Sequence, residues 1–401
     1  TTATFSAITT AGMFLGALVG GIIGDKTGRR NAFILYEAIH IASMVVGAFS
    51  PNMDFLIACR FVMGVGLGAL LVTLFAGFTE YMPGRNRGTW SSRVSFIGNW
   101  SYPLCSLIAM GLTPLISAEW NWRVQLLIPA ILSLIATALA WRYFPESPRW
   151  LESRGRYQEA EKVMRSIEEG VIRQTGKPLP PVVIADDGKA PQAVPYSALL
   201  TGVLLKRVIL GSCVLIAMNV VQYTLINWLP TIFMTQGINL KDSIVLNTMS
   251  MFGAPFGIFI AMLVMDKIPR KTMGVGLLIL IAVLGYIYSL QTSMLLITLI
   301  GFFLITFVYM YVCYASAVYV PEIWPTEAKL RGSGLANAVG RISGIAAPYA
   351  VAVLLSSYGV TGVFILLGAV SIIVAIAIAT IGIETKGVSV ESLSIDAVVN
   401  K

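Results

Sequence analysis

The chain has 401 residues, of which 56% are hydrophobic and only 12% charged, with a net charge of +8. A soluble domain carries about twice that share of charge, and apolar runs of 18 residues or more, each long enough to cross a hydrocarbon core about 30 Å thick, recur along the whole length. A soluble globular fold is therefore excluded, and a basic nucleic-acid binder is argued against by where the basic residues fall.

In chain order, spans are expected at about 3–24, 31–50, 55–80, 92–116, 124–144, 204–235, 244–265, 272–290, 294–320, 332–356 and 360–382, eleven in all. Two of the 28 lysines and arginines (Arg60, Arg341) lie inside these spans away from their end turns, and two (Arg123, Lys241) in one set of loops. The other 24 fall in the alternate loops, at 26–30, 85–93, 142–207, 267–271, 329–331 and the tail. Such one-sided charge predicts that those loops and the C-terminus face the cytoplasm, beside an anionic lipid surface, and that residue 1 starts outside. The four cysteines all fall in spans without metal-ligand spacing and read as packing residues. No secretory leader, lipidation motif, nucleotide loop or nucleophile–base pair is evident, so neither a cofactor nor an enzyme is expected.

The sequence repeats itself. "GDKTGRR" (24–30) returns as "MDKIPRK" (265–271), "EYMPGRNRG" (80–88) as "EIWPTEAKLRG" (322–332) and "PESPR" (145–149) as "IETKG" (383–387). The offsets are 241 from Asp25 to Asp266, 242 from Glu80 to Glu322 and 238 from Glu146 to Glu384. An all-α polytopic membrane protein made of two copies of one helical bundle is predicted, as in many transporters. The second copy has a helix (204–235) before the one that ends at Asp266, whereas the first begins with the helix that ends at Asp25. Six plus six helices are inferred for the full architecture, eleven of them in this chain. The expected division is 1–144, an N-terminal bundle; 145–203, cytoplasmic helices and a linker; 204–384, a C-terminal bundle; and 385–401, a cytoplasmic tail. Within the linker region, "SPRWLESRGRYQEAEKVMRSIEEG" reads as one or two amphipathic helices, followed by a loose Pro- and Gly-rich stretch.

The combination of "GIIGDKTGRR", "RFVMGVGLGA" (60–69), "PESPRWL" (145–151), "PEIWPTEAKLRG" (321–332) and "ETKG" (384–387) resembles the major facilitator superfamily. Within it, the chain is similar to sugar-porter-like metabolite:proton symporters, and "GRISGIAAP" (340–348) resembles the corresponding helix of niacin and aromatic-acid symporters and organic-anion transporters. Two departures stand out: Pro269 where the pattern expects glycine, and Ile383 where it expects proline. The resemblance implies the major facilitator fold, with family helices 2–6 in the first bundle and 7–12 in the second. It also implies a monomer in the plasma membrane, expected to be a bacterial inner membrane, that moves a small molecule and a proton.

The charged clusters at the cytoplasmic helix ends comprise Asp25, Arg29, Glu80, Arg87, Glu146 and Arg149, with Asp266, Arg270, Glu322, Arg331 and Glu384. They are candidate gating groups that lock and release the halves, against a plainer role as topology anchors and helix caps. The glycines at 64–68 and 332–344 are expected to allow close helix packing.

Arg341 lies ten residues into its helix from Arg331, about 15 Å deep and near the bilayer midplane. It cannot be neutralised, so it faces a cavity or a partner. The second-half spans hold no acid between their ends, which favours binding of a substrate anion over a structural pair with Glu37 or an unseen helix. Arg60, about six residues from an outer helix end, either snorkels or, as the resemblance implies, pairs with an aspartate of the first family helix in proton coupling. Glu37 and the single histidine, His40, share a helix face and are candidates for a proton relay or for a local pair. Three polar faces could complete the site: Ser95, Asn99, Tyr102 and Ser106; Asn219, Tyr223 and Asn227 with Gln222 beside them; and Tyr311, Tyr314 and Val318. Tyrosines and amides around an arginine suit a small aromatic or hydroxy acid, although interhelical hydrogen bonding would use the same residues. A neutral sugar or polyol as cargo is the alternative within transport, and a transporter-like sensor lies outside it.

Overall fold

In the computed structural model the described residues, 2–81, 87–179, 195–265, 267–325 and 328–386, are helical throughout, with no strand among them. The helices are α1 (Thr2–Thr27), α2 (Arg29–Ala48), α3 (Met53–Tyr81), α4 (Arg87–Asn99), α5 (Ser101–Leu112), α6 (Ala118–Tyr143), α7 (Pro148–Ser153) and α8 (Tyr157–Thr175). They continue with α9 (Tyr196–Leu199), α10 (Gly202–Thr235), α11 (Leu240–Met251), α12 (Gly253–Val264), α13 (Arg270–Ser289), α14 (Met294–Cys313), a π-helical segment (Tyr314–Tyr319), α15 (Val320–Glu322) and α16 (Lys329–Ile381).

Nine stretches of the described residues are long and apolar enough to span a bilayer, against the eleven expected. The stretch 92–116, which forms α4 and α5 of 13 and 12 residues meeting at Asn99–Trp100 just before Pro103, is not among them. The last two expected spans are both present within α16, as two helices joined at Gly359, whose φ of 64° turns the chain between them. The amphipathic stretch after residue 145 forms α7 and α8. Ser147 caps α7 by accepting from the Trp150 N–H at 3.3 Å, and Gly176 (φ 65°) ends α8.

Two compact units are distinguished by packing. One contains residues 1–7, 89–121 and 191–401; the other contains 8–88 and 122–190. The first has a continuous core in which α10, α14 and α16 contribute Leu210, Leu225, Phe233, Tyr311 and Phe364. The second has two small clusters, Ala32–Tyr36–Ala69–Leu70 and Met44–Met63–Ala130. Its α6 is only 6% buried and presents Ile131, Leu132, Ile135, Leu139 and Trp141 outward, as a lipid-facing helix must.

The sequence repeat returns as a repeat of contacts. A methyl placed on Gly12 of α1 would collide with the Phe61 carbonyl of α3, and one on Gly16 with the Val65 carbonyl. Shifted by 241 residues, Gly253 of α12 meets the Phe302 carbonyl of α14 in the same way, and Gly257 the Thr306 carbonyl. Gly64 and Gly68 reciprocate from α3, against the Thr9 and Met13 carbonyls. Hydrocarbon offers helices no hydrophobic gain on association, so backbone-to-backbone contact of this kind holds a membrane bundle together. Gly16→Val and Gly257→Val should therefore each destabilise the protein by about 1–3 kcal/mol. Gly276→Ala, at a position with nothing within 4 Å of the added carbon, should be neutral; thermal unfolding in detergent reads all three.

Candidate substrate site and family

Arg341 lies half-buried on α16, next to Gly340, where that helix presses α10 closely. A Cβ on the neighbouring Gly340 would stand 2.8 Å from the Leu215 Cβ and 3.0 Å from the Asn219 amide nitrogen. A glycine is required there, and it lets α10 and α16 approach closely beside Arg341. Asn219 is 6% exposed and donates to the Leu215 carbonyl at 2.7 Å. One turn on, Tyr223 lies within electrostatic reach of both Arg341 and Tyr102. The Tyr102 ring of α5 meets the Tyr309 ring of α14 edge-on, with centroids 5.2 Å apart. The buried Tyr309 hydroxyl interacts with Tyr102 and Gln222 without closing a hydrogen bond of normal geometry. Arg341, Asn219, Gln222, Tyr223, Tyr102 and Tyr309 thus converge from four helices. Among the described residues, no carboxylate is paired with Arg341.

Other expected members stand elsewhere. Tyr311 and Tyr314 are only 1% and 0% exposed, and Tyr311 donates to the Val214 carbonyl at 3.2 Å. Tyr314 stacks on Tyr319 at 5.0 Å, in packed core where the π-helical segment begins. The tyrosine that α14 sends toward the polar cluster is Tyr309, which the sequence reading passed over. "VYMYVCY" places tyrosines at 309, 311 and 314, and helical periodicity alone does not say which face turns inward. Asn99 donates to the Ser95 carbonyl of its own helix at 2.7 Å, and Asn227 is exposed. Ser106 accepts from Asn247 of α11 at 3.3 Å, and the Asn247 carbonyl oxygen is buried without a partner.

In the other unit, the Arg60 Nε donates to the Thr9 hydroxyl at 3.1 Å. Glu37 is 8% exposed, with its carboxylate 3.6 Å from His40 Nδ1, so the i,i+3 pair expected from sequence is formed.

The charged helix ends are built twice on one plan. Glu146 accepts from the backbone N–H groups of Arg29 (2.7 Å), Arg30 (3.2 Å) and Ser147 (3.0 Å) and so caps α2. Glu384 accepts from those of Arg270 (2.7 Å), Lys271 (3.1 Å) and Lys386 (3.1 Å) and caps α13. Carboxylates favour helix N-termini for this reason. In the second copy the Arg270 fork also grips Glu322 at 3.0 and 3.1 Å, and Thr385 donates to Glu322 at 2.6 Å. Each of these contacts closes inside its own unit, so the geometry is one of capping and local bracing. Arg149 is exposed and Arg331 half-buried. Asp266, and the side chains of Asp25, Glu80 and Arg87, lie outside the described residues.

A cation without an acid partner inside a bundle of apolar helices, two copies of one bundle and capped helix ends define a polytopic transporter of the major facilitator type. The family described as sugar (and other) transporters matches residues 1–397, and the chain belongs to it. It is 44% identical over 98% of its length to the inner membrane metabolite transport protein YdjE of Escherichia coli, covering 86% of that protein. It is 26% identical to the niacin transporter NiaP of Acinetobacter baylyi, over 96% of this chain and 85% of that one. Among solved structures, the xylose transporter XylE of E. coli, partially occluded and inward open, superposes with a TM-score of 0.76 at 18% identity, over 96% of this chain and 88% of that one. The protein is a membrane transporter of metabolites, and its relatives are transporters rather than enzymes.

Burial tends to raise the Glu384 carboxyl, but the N–H donors of Arg270, Lys271 and Lys386 and the Arg270 charge outweigh it and hold it below its usual range. A carboxyl depressed in the folded state stabilises above its unfolded value, near 4.3, and that contribution is lost as pH falls through the folded value. The melting temperatures of wild type and Glu384→Gln should therefore differ most at neutral pH and converge as the pH falls below the unfolded value and through the lower folded one.

Proposed function

We propose that the protein is a secondary active transporter that takes up a small organic anion together with a proton. The cargo is an aromatic or hydroxy monocarboxylate of nicotinate-like size. The observation that carries this reading is Arg341: a permanent cation about 15 Å into the membrane, bordered by Tyr223, Tyr102, Tyr309, Gln222 and Asn219, with no acid against it among the described residues. A carboxylate would supply the missing charge through the guanidinium fork, while the tyrosine rings stack on an aromatic body and the amides take up a hydroxyl or ring nitrogen. The name of the niacin transporter relative is in keeping with such a cargo. Ionisable groups inside the first-half helices, Arg60 and the Glu37–His40 pair, are the ones available for proton coupling. Gating is assigned to the charged helix ends as a group, whose local bracing in each unit would be exchanged for contacts between the halves as the inward–outward equilibrium shifts. The protein works in a bacterial inner membrane as a monomer, with the basic loops and the C-terminus in the cytoplasm. A neutral sugar or polyol is the second reading, supported by the amides of α10 and by the xylose transporter's fold.

Uptake into proteoliposomes decides between them. Labelled nicotinate, benzoate and hydroxy acids should accumulate when the outside is acidic and not when the gradient is collapsed, whereas xylose and inositol should not accumulate. Arg341→Lys keeps the charge but loses the fork and should weaken uptake. Arg341→Ala should lower apparent affinity by about ten- to a hundredfold, as expected for a charge-assisted contact of about 1.5–3 kcal/mol. Sugar uptake indifferent to Arg341 would replace this reading by the second.

A further inference from the structure

A cavity of about 370 Å³ opens between the start of α2 and the end of α6, lined by Arg30, Asn31, Ile34, Leu35, Ala38 and Trp141. We propose that it seats one anionic phospholipid, with the phosphate on Arg30 and Asn31 and an acyl chain along Ile34, Leu35 and Ala38 beside Trp141.

The two ends of the cavity differ in chemistry as the two ends of a lipid do. At the polar end, the Arg30 guanidinium spends one nitrogen on the Trp141 carbonyl at 2.5 Å, while its Nε is buried with no partner. Glu146, the acid at this end, accepts from three backbone N–H groups. Asn31 reaches the Thr27 carbonyl at 3.3 Å with its amide, which has a second N–H to give. Lys26 and Arg142 are exposed at the same ends of α1 and α6 and add positive potential. An arginine fork matches a phosphate better than it matches water, and it repels the ammonium of a zwitterionic headgroup.

From Arg30 to Ala38 the groove runs eight residues along α2, about 12 Å, which is most of one leaflet's hydrocarbon depth. Ile34 and Ala38 lie one turn apart, Leu35 is 44% exposed and Trp141 64% exposed. A tryptophan at a helix end facing outward is the interfacial anchor expected at headgroup level. A soluble phosphate compound would have no use for the apolar wall, so the lipid is the occupant the cavity fits. The proposal holds whatever the transporter carries.

Native mass spectrometry of the purified full chain, titrated with phosphatidylglycerol and phosphatidylcholine of identical chains, tests it. Wild type should take up its first phosphatidylglycerol at least tenfold more tightly than phosphatidylcholine. Arg30→Ala should abolish that preference. Ala38→Phe, which fills the groove and keeps the charge, should weaken the first phosphatidylglycerol to the level of the later ones. A preference that survives both substitutions, or none in wild type, overturns the site. Competition by free glycerol phosphate at micromolar concentration overturns the lipid assignment in favour of a soluble phosphate ligand.

Discussion

A guanidinium cannot shed its charge, and hydrocarbon cannot solvate it, so an arginine deep in a membrane bundle must be surrounded by polar groups that the chain itself brings there. Arg341 imposes that demand on α10, α5 and α14. Gly340, its neighbour in sequence, lets α10 approach until the Asn219 amide stands against the α16 backbone. Tyr223, one turn further along, comes within reach of the charge and of Tyr102, and Tyr309 closes the group from α14. These are partial dipoles rather than a counter-charge. A carboxylate of the proposed cargo would supply the charge that these dipoles do not.

Duplication explains how such a position can arise without upsetting the scaffold. The backbone contacts of Gly12 and Gly16 with α3 and of Gly253 and Gly257 with α14 are one interface used twice, and so are the caps supplied by Glu146 and Glu384. These contacts engage backbone atoms, so they leave side chains elsewhere free to diverge. An offset of 241 to 242 carries Arg341 back to Trp100 or Asn99, at the break between α4 and α5. The charge therefore belongs to one copy only.

The sequence made the scaffold legible to the degree that physics is local. Span positions follow from apolar length, and the two copies from paired motifs whose caps and crossings reappear as paired geometry. The Glu37–His40 pair follows from i,i+3 spacing. Two things resisted. The break inside the stretch 92–116, just before Pro103, is one that hydropathy averages away, whereas the turn at Gly359 falls in the gap expected between 332–356 and 360–382. Which of the tyrosines at 309, 311 and 314 turns toward the polar cluster depends on helix rotation, and an apolar helix with no amphipathic stripe does not announce its rotation. The result exchanges Tyr311 and Tyr314, held in core by packing and by the Val214 carbonyl, for Tyr309. Asn99 is likewise turned to its own backbone, a use that side-chain spacing does not distinguish from a ligand contact.

The central claim is that Arg341 awaits a negative charge, and the most direct measurement is calorimetric binding of a matched pair to the purified transporter: a transported monocarboxylate and its neutral amide. The acid should bind wild type about ten- to a hundredfold more tightly than the amide, and in Arg341→Ala the two should bind alike because only the acid has lost its partner. Equal affinity of acid and amide for wild type, with both reduced to the same degree in the alanine variant, would make Arg341 a structural residue and contradict the account.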